Sequence, residues 1–406
     1  MKKVLFICYG GGHVRMVLPV AKELHESGRA DVKVLALTTA APVARAAGLP
    51  VVQFKDFVQP GDEAALAHGR RLAAQMKDVV DLDETAAYLG LSSADLVADV
   101  GAQEAFRRYE KDGRQAFLPR GTLRRILKKL EPDLVVATNS PRAERAAIEV
   151  AREVGIPAVC IVDLFAIDEV RWIGQPGYAD RVCVLNEAVR DFLVAAGRKP
   201  EEMVVTGNPA FDVLSDPEVA QEGAALRADE GWDGKRVLLW AEQVEPAFHP
   251  FDGRPGDPTL PVRALQALVD WTAANDDAVL CIRPRPGQQM SLDALGPRLR
   301  GDDGRLVLTG QDWPLPPLLH AVSTVVTLTS TVGLEGHLAG ARLVQVQGSV
   351  FDEAMPLARF GVADAAVPVA GLGEALDRVT RLGRRPLAQS GLAATGRVLS
   401  VLGAFL

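Results

Sequence analysis

Residues Thr327–Ala341 read TLTSTVGLEGHLAGA. The run Thr324–Leu328 that leads into them is apolar, as a buried strand is, and a helix opens behind it. Thr329, Ser330 and Thr331 fall at the junction, where hydroxyl side chains cap free backbone N–H groups. A helix start built from small residues suits an anion, because several N–H groups and the positive dipole end point outward together. Glu335 stands five residues after Ser330. At about 1.5 Å per residue that is roughly 7 Å along the axis, close to the span from a diphosphate to its ribose. Two readings are open for this stretch alone. One is an ordinary capped helix between two strands, with Glu335 on a solvated face. The other is a helix that holds phosphate by its end and ribose hydroxyls by its carboxylate.

Working outward, the same strand–helix rhythm fills the second half. Arg236–Trp240 reads as a strand and runs into Ala241-Glu242-Gln243, followed by a proline- and glycine-rich loop over 244–260. Pro261–Asn275 reads as a helix, and the strand Val279–Ile282 ends in Arg283-Pro284-Arg285-Pro286. Leu306–Leu308, Leu343–Gln347 and Ala366–Val369 complete the strands; Pro316–Val322, Gly373–Leu382 and Ala388–Leu402 are helical. The first half begins with the apolar strand Lys3–Cys8, then Tyr9-Gly10-Gly11-Gly12-His13 and an amphipathic helix. Further strands are read at Asp31–Leu37, Leu49–Phe54, Asp133–Ala137, Ala158–Val162, Arg181–Leu185 and Met203–Thr206. Such alternation predicts an α/β chain of two Rossmann-like domains, 1–212 and 213–406, with polar connecting chain over 215–235. Residues 55–121 break the rhythm and read as a helical insertion, with helices over 63–80, 83–89 and 93–109, the last starting at Ser92/Ser93. It serves packing, dimerisation, or one wall of an acceptor site.

Composition sets limits. The chain has 406 residues, 48% hydrophobic and 24% charged, which is ordinary for a globular protein of two or three domains. A net charge of −7 with no polybasic block argues against nucleic acid as a partner. The apolar run at the start is too short for a signal peptide and reads as a first strand, and no stretch reaches the ~20 apolar residues of a membrane span. Cys8, Cys160, Cys183 and Cys281 each sit inside apolar runs without metal-ligand spacing, as reduced core residues of a cytoplasmic protein do. The glycine loop is not GxGxxG and the second strand ends in ALTTAAP without an acid, which argues against a nicotinamide dinucleotide site.

The loop Gly10-Gly11-Gly12-His13 and the run Val205-Thr206-Gly207-Asn208-Pro209 resemble the MurG family of peptidoglycan N-acetylglucosaminyltransferases. Thr329-Ser330-Thr331 with Glu335 resembles the nucleotide-sugar motif of UDP-N-acetylglucosamine 2-epimerases. Both families share the GT-B superfold, two Rossmann-like domains with a cleft between them. The resemblance implies an N-terminal acceptor domain and a C-terminal domain for a nucleotide sugar, UDP-linked, with the last helix packing back on the first domain. Thr329, Ser330 and Thr331 would meet the diphosphate, Glu335 the ribose, and Arg283 the phosphates; Arg285 is the weaker arginine. Gly11 and Gly12 would let the first domain approach the donor, and Glu242 and Gln243 stand where the family places a donor-contacting polar group. The implied activity is glycosyl transfer with no cofactor and no metal. The acceptor is a glycan, a lipid-linked or a small molecule; a peripheral membrane contact and a homodimer stay open.

Transfer needs a base for the acceptor hydroxyl. His13 is one candidate, since an imidazole titrates near 6.5 when unperturbed. Asp163, after the segment Gly155-Ile156-Pro157, is the other, although a strand-end Asp is also a good helix cap. The 2-epimerases carry a GTRPE-like first loop and several acids where this chain has GGGH and Asp163, which favours transfer over epimerisation. A nucleotide-sugar 2-epimerase or hydrolase is the alternative, followed by a polyol-phosphate transferase or a non-catalytic binding protein. His249 in the long loop, and Glu187, Arg142 and Asn139 at strand ends, are lesser candidates for donor or acceptor contacts; His337 reads as helix packing or a nucleotide contact.

Overall fold

The computed structural model describes residues 1–76, 79, 81–285, 304–310, 312–386 and 393–406. These form two compact units, one spanning Met1–Ala210 and taking in the C-terminal helix, the other starting at Phe211.

The first unit is built on seven strands: β1 (Lys3–Cys8), β2 (Asp31–Ala36), β3 (Val51–Val52), β4 (Leu134–Thr138), β5 (Ala158–Ile161), β6 (Arg181–Val184) and β7 (Met203–Val205). All pairs are parallel, in the order β3-β2-β1-β4-β5-β6-β7. Phe6 of β1 lies opposite both Val34 and Val136. Strands covered on both faces need apolar residues at every position, which is why β1 and β4 read as unbroken runs. The helix α1 (Gly12–Glu26) buries Val14, Val17, Val20, Ala21 and Leu24 against this sheet, each large side chain contributing about 1.5–3 kcal/mol. From β1 the chain winds outward to β2 and β3, then returns to start β4 on the other side. The order therefore reverses between β1 and β4, and the carboxyl ends of those two strands flank a crevice, the usual ligand edge of such a sheet.

The chain forms α2 (Ala40–Ala46) between β2 and β3, and then, between β3 and β4, α3 (Glu63–Ala73), α4 (Leu82–Val100), α5 (Ala102–Asp112) and α6 (Arg120–Leu130). One expectation fails here. Residues 83–109 do not break at Ser92/Ser93; α4 runs through them with Ser92 buried, and the break comes at Gly101, held at φ 79°. Gly90 stands in the middle of this helix, where a glycine costs about 1 kcal/mol relative to alanine. Its reason is tertiary: a Cβ at Gly90 would strike the Ala65 carbonyl, and one at Gly69 the Ala86 carbonyl, so the pair lets α3 and α4 cross closely. The helix expected over 63–80 ends at Ala73, and its last positions, 77, 78 and 80, lie outside the described residues. The unit continues with α7 (Ala143–Glu153), α8 (Val170–Ile173) and α9 (Glu187–Ala195).

The second unit repeats the plan with β8 (Arg236–Ala241), β9 (Ala278–Arg283), β10 (Leu306–Leu308), β11 (Thr324–Thr327), β12 (Arg342–Val346) and β13 (Ala365–Val367). Its order, β10-β9-β8-β11-β12-β13, is parallel throughout and reverses between β8 and β11. The stretch 215–235 is not connecting chain. It holds α10 (Pro217–Asp229), started by an Asp216 cap and a proline at its first position. This helix has no apolar stripe to announce it; Gly223 is its buried residue and packs where a Cβ would come within 2.7 Å of the Pro317 carbonyl. Then follow α11 (Leu260–Ala273), α12 (Leu315–Ala321), α13 (Thr331–Leu338) and α14 (Leu372–Val379). The last helix, α15 (Ala394–Gly403), belongs to the first unit: Val398, Leu399 and Leu402 enter the core around α1, and Arg397 Nε donates to the Thr206 carbonyl at 2.7 Å. Residues 387–392, at the start of the closing helix read from sequence, lie outside the described residues, as does Pro286. No described helix is long and apolar enough to cross a membrane.

Candidate functional site

In the second unit the reversal point lies between Ala241 and Thr327, so Glu242-Gln243 and Leu328–Thr331 emerge side by side. Gln243 ties the two ends together. Its Oε1 accepts the Thr329 N–H at 2.6 Å and the Thr327 hydroxyl at 3.1 Å, and its Nε2 donates to Thr329 Oγ1 at 3.2 Å. The Thr327 hydroxyl oxygen also accepts the Ser330 N–H at 3.3 Å. Ser330 is the cap of α13, its Oγ accepting the Val332 N–H at 3.2 Å. Thr331 is exposed, and its N–H, at the positive end of the helix dipole, has no partner among the described residues. Two glycines press this helix onto the sheet: a Cβ at Gly333 would lie 2.9 Å from Thr327 Cγ2, and one at Gly336 2.5 Å from Val325 Cγ2.

Glu335, half-buried on α13, lies within electrostatic reach of Arg283 at the end of β9. Burial lowers the Arg283 pKa, and the Glu335 carboxylate works against that shift. Arg283 is also tethered, its Nη1 donating to the Trp313 carbonyl at 2.9 Å and the Gly310 carbonyl at 3.4 Å. Glu242 is buried, and its N–H donates to the Arg283 carbonyl at 3.0 Å. Gln243, Thr329, Ser330 and Thr331 thus form one cluster, with the Arg283–Glu335 pair in the same unit. Arg285 is exposed. His337 sits on the same helix, and burial pushes its imidazole below the usual value. His249 secures its own loop: Nδ1 accepts the Asp252 N–H at 3.2 Å, and the ring packs between Phe251 and Phe351.

In the first unit the reversal point gathers Tyr9–His13 and Asn139–Arg142. Gly11 adopts φ 67° at the start of α1, a conformation that favours glycine, and Gly11 and Gly12 are exposed with open space where a Cβ would stand. His13 Nε2 lies 4.0 Å from Asp163 Oδ2. Asp163 is held firmly: Oδ1 accepts Asn139 Nδ2 at 2.8 Å and the Leu164 N–H at 2.7 Å, while its own N–H donates to Asn139 Oδ1 at 3.1 Å. Asn208 Nδ2 donates to the Asp163 carbonyl at 2.8 Å. Asn139 is therefore the orienting partner of Asp163. Arg142 lies over the Tyr9 ring at 5.0 Å, and Glu187 pairs with Arg190.

Two carboxyls went unnoticed in the sequence. Glu144, in the first turn of α7, is fully buried, and burial raises its pKa, opposed first by His13. The signal was there, since Glu144 shares a face with Ala147, Ile148 and Ala151, where an acid is out of place. Glu169 is pushed up to about 7 by burial and by the charge of Asp163. His13 is thus bracketed by Asp163 and Glu144, with its Nδ1 buried and without a hydrogen-bond partner.

No family model and no curated protein matches the chain. Solved structures do. A putative UDP-N-acetylglucosamine 2-epimerase from Listeria monocytogenes aligns with a TM-score of 0.59 at 14% identity, over 100% of this chain and 97% of that one. The UDP-GlcNAc 2-epimerase from Neisseria meningitidis, solved bound to UDP-GlcNAc, gives 0.58 at 11% identity, over 99% and 100%. MurG from Acinetobacter baumannii gives 0.57 at 16% identity, over 100% of both chains. Two parallel-sheet α/β units of this kind are the GT-B fold, which this chain shares with both groups.

Proposed function

We propose that the chain is a nucleotide-sugar enzyme that moves a sugar from a UDP-linked donor to an acceptor hydroxyl. The observation that carries this reading is the Gln243–Thr329 network, which holds the start of α13 and supports its use as an anion-binding helix end. In this reading the Thr331 N–H and the dipole of α13 receive the diphosphate, Arg283 adds charge, and Glu335 accepts the ribose hydroxyls. Preorganised donors of this kind stabilise the leaving diphosphate without reorganising during the reaction. The acceptor oxygen bonds to the anomeric carbon as the bond to the diphosphate oxygen breaks. Nε2 of His13 takes the acceptor proton, and Asp163, held by Asn139, stabilises the imidazolium.

A second reading, a nucleotide-sugar 2-epimerase, is favoured by Glu169. A carboxyl held at about 7 beside the carboxyl of Asp163 offers two acids in different environments, which suits proton exchange at a sugar carbon. A panel of UDP-, CDP- and dTDP-sugars, with products followed by mass spectrometry and NMR, separates the two. Acceptor-dependent UDP release supports transfer; a C2-inverted sugar formed without acceptor supports epimerisation; a preference for CDP points to polyol-phosphate transfer. Within either reading, Glu335→Ala should weaken UDP binding to the full chain by more than about tenfold. Unchanged affinity would remove the donor site from the second unit.

A further inference from the structure

The first unit contains a cavity of about 240 Å³ that neither the donor site nor the base uses. Its wall includes Tyr9, Thr38, Thr39, Glu84, Tyr88 and Arg114. Tyr9 follows β1 and the two threonines follow β2, so the cavity opens at the carboxyl edge of the sheet, with α4 closing it from the side. At ~30 Å³ per water it has room for roughly eight waters, or one monosaccharide ring.

Its polar groups are arranged as for a ligand. Tyr88 is only 5% exposed, yet its hydroxyl has no hydrogen-bond partner. A buried phenol normally has one. Thr38 Oγ1 is buried without a partner as well, on a residue held at φ 50°. Gly10 keeps the wall in place, because a Cβ there would strike Thr39 Oγ1. The acids are already engaged: Asp81 pairs with Lys55, and Glu84 accepts the Phe54 and Lys55 N–H groups at 3.1 and 3.0 Å. The cations are not. Neither the Arg114 nor the Arg142 guanidinium has a hydrogen-bond or ion-pair partner among the described residues; Arg142 lies over Tyr9, and both act electrostatically on Tyr88. Unused hydroxyl donors beside unpaired guanidiniums call for a ligand rich in oxygen and negatively charged.

We propose that this cavity binds an anionic, polyhydroxylated ligand of monosaccharide size, a sugar phosphate or a uronate, and that it is the acceptor subsite. The acceptor role builds on the transferase reading above, while the binding stands independently of it. Tyr9 of the cavity wall and His13 both stand just beyond the carboxyl end of β1.

The test is calorimetric titration of the full chain with glucose 6-phosphate, glucuronate, glucose and inorganic phosphate. At least one of the two anionic sugars should saturate, with glucose and phosphate each about tenfold weaker or worse. Binding of both anionic sugars marks the shared chemistry; binding of one alone identifies the anion. Tyr88→Phe removes only the hydroxyl and keeps the edge contact with Phe54 at 5.2 Å; it should weaken that ligand about fivefold, and Arg114→Gln about tenfold. UDP affinity should stay unchanged in both variants. If neither anionic sugar binds, if inorganic phosphate binds as tightly, or if both variants bind like the wild type, the proposal is overturned. Sugar-anion binding that depends on Tyr88 in a chain that ignores UDP would leave the cavity standing and sink the donor reading. The converse, UDP binding with no sugar-anion binding, would do the opposite.

Discussion

Replacing Gln243 tests the donor site where it is most specific. This one side chain makes three hydrogen bonds across the reversal point: from the Thr329 N–H at 2.6 Å, from the Thr327 hydroxyl at 3.1 Å, and to Thr329 Oγ1 at 3.2 Å. Net contributions are about 1 kcal/mol per neutral bond. Because Thr329 is only half-buried and its N–H can rehydrate, Gln243→Ala should cost about 2 kcal/mol. In a unit of this size that lowers Tm by roughly 4–8 °C. The loop it orders is the one that faces the phosphate, so a ligand must repay the same ordering, and UDP affinity falls about thirtyfold. Gln243→Glu behaves differently. A carboxylate keeps an acceptor for the Thr329 N–H, so stability stays close to wild type. Yet it places a negative charge at the anion site. At an effective dielectric of ~20, two unit charges ~5 Å apart repel by about 3 kcal/mol, roughly two decades in Kd. The Ala variant should therefore be the less stable and the Glu variant the weaker binder. A merely structural glutamine gives the same rank in both measurements. Calorimetry with UDP and thermal denaturation, both in ~0.1 M salt, read the two orders, and a Gln243→Glu protein that binds UDP within twofold of wild type refutes the anion-site assignment.

Other outcomes follow from the first unit. His13→Ala should cut turnover by at least a hundredfold while UDP affinity stays within about twofold, and Asn139→Ala, which frees Asp163, should cut it less while moving the pH–rate profile; full activity of His13→Ala would exclude it as base. Glu84 is held at about 7 by burial, against 4.5 for an ordinary glutamate. The folded protein thus keeps a proton that the unfolded chain releases between those values, so this contribution is complete below about pH 4.5 and is lost by pH 7, amounting to about 3 kcal/mol. In urea unfolding between pH 4.5 and 8, Glu84→Gln should flatten that decline, and an unaltered slope would contradict the assignment. Gly90→Ala should destabilise the first unit by about 1–3 kcal/mol despite the better helix propensity of alanine, because its methyl meets the Ala65 carbonyl; a gain in Tm would show that α3 and α4 can part at no cost.

The sheets were legible because strands buried on both faces carry their reason in their own composition, as Lys3–Cys8 and Leu134–Thr138 do. Elements whose reason is a neighbour were not. The stretch 83–109 reads as two helices parted at Ser92/Ser93 until α3 is seen packed at Gly90, and α10 reads as loop because a glycine, not an apolar stripe, docks it. The third strand, expected over 49–54, shrinks to Val51–Val52 because Phe54–Phe57 turns into a 3-10 helix anchored by Glu84. The candidate site divides the same way. The helix start at Ser330 was readable from three hydroxyl residues and their spacing. Gln243 was readable only as a position, since the bonds that define it come from residues more than eighty places away. Tyr88 acquires meaning only when folding buries its hydroxyl without a hydrogen-bond partner.

The two units differ in the kind of group they offer, and that difference argues for which half does what. The cluster at the second reversal point is made of neutral amides and hydroxyls, with one arginine and one carboxylate alongside. Such groups hold charge without exchanging protons near neutral pH, which suits a diphosphate that must be stabilised as it leaves. The first unit instead sets His13 near Asp163 and raises Glu84, Glu144 and Glu169 by burial. Glu84 and Glu169, both held at about 7, change protonation in this range, which suits an acceptor or a sugar carbon that must lose a proton. A change at Gln243 or Glu335 should then scale the pH–rate profile without moving it, whereas a change at Asn139 or Glu169 should move its limbs. If a donor-site variant shifts the limbs as far as an Asn139 variant does, the protons are handled in the second unit and the division between the halves is wrong.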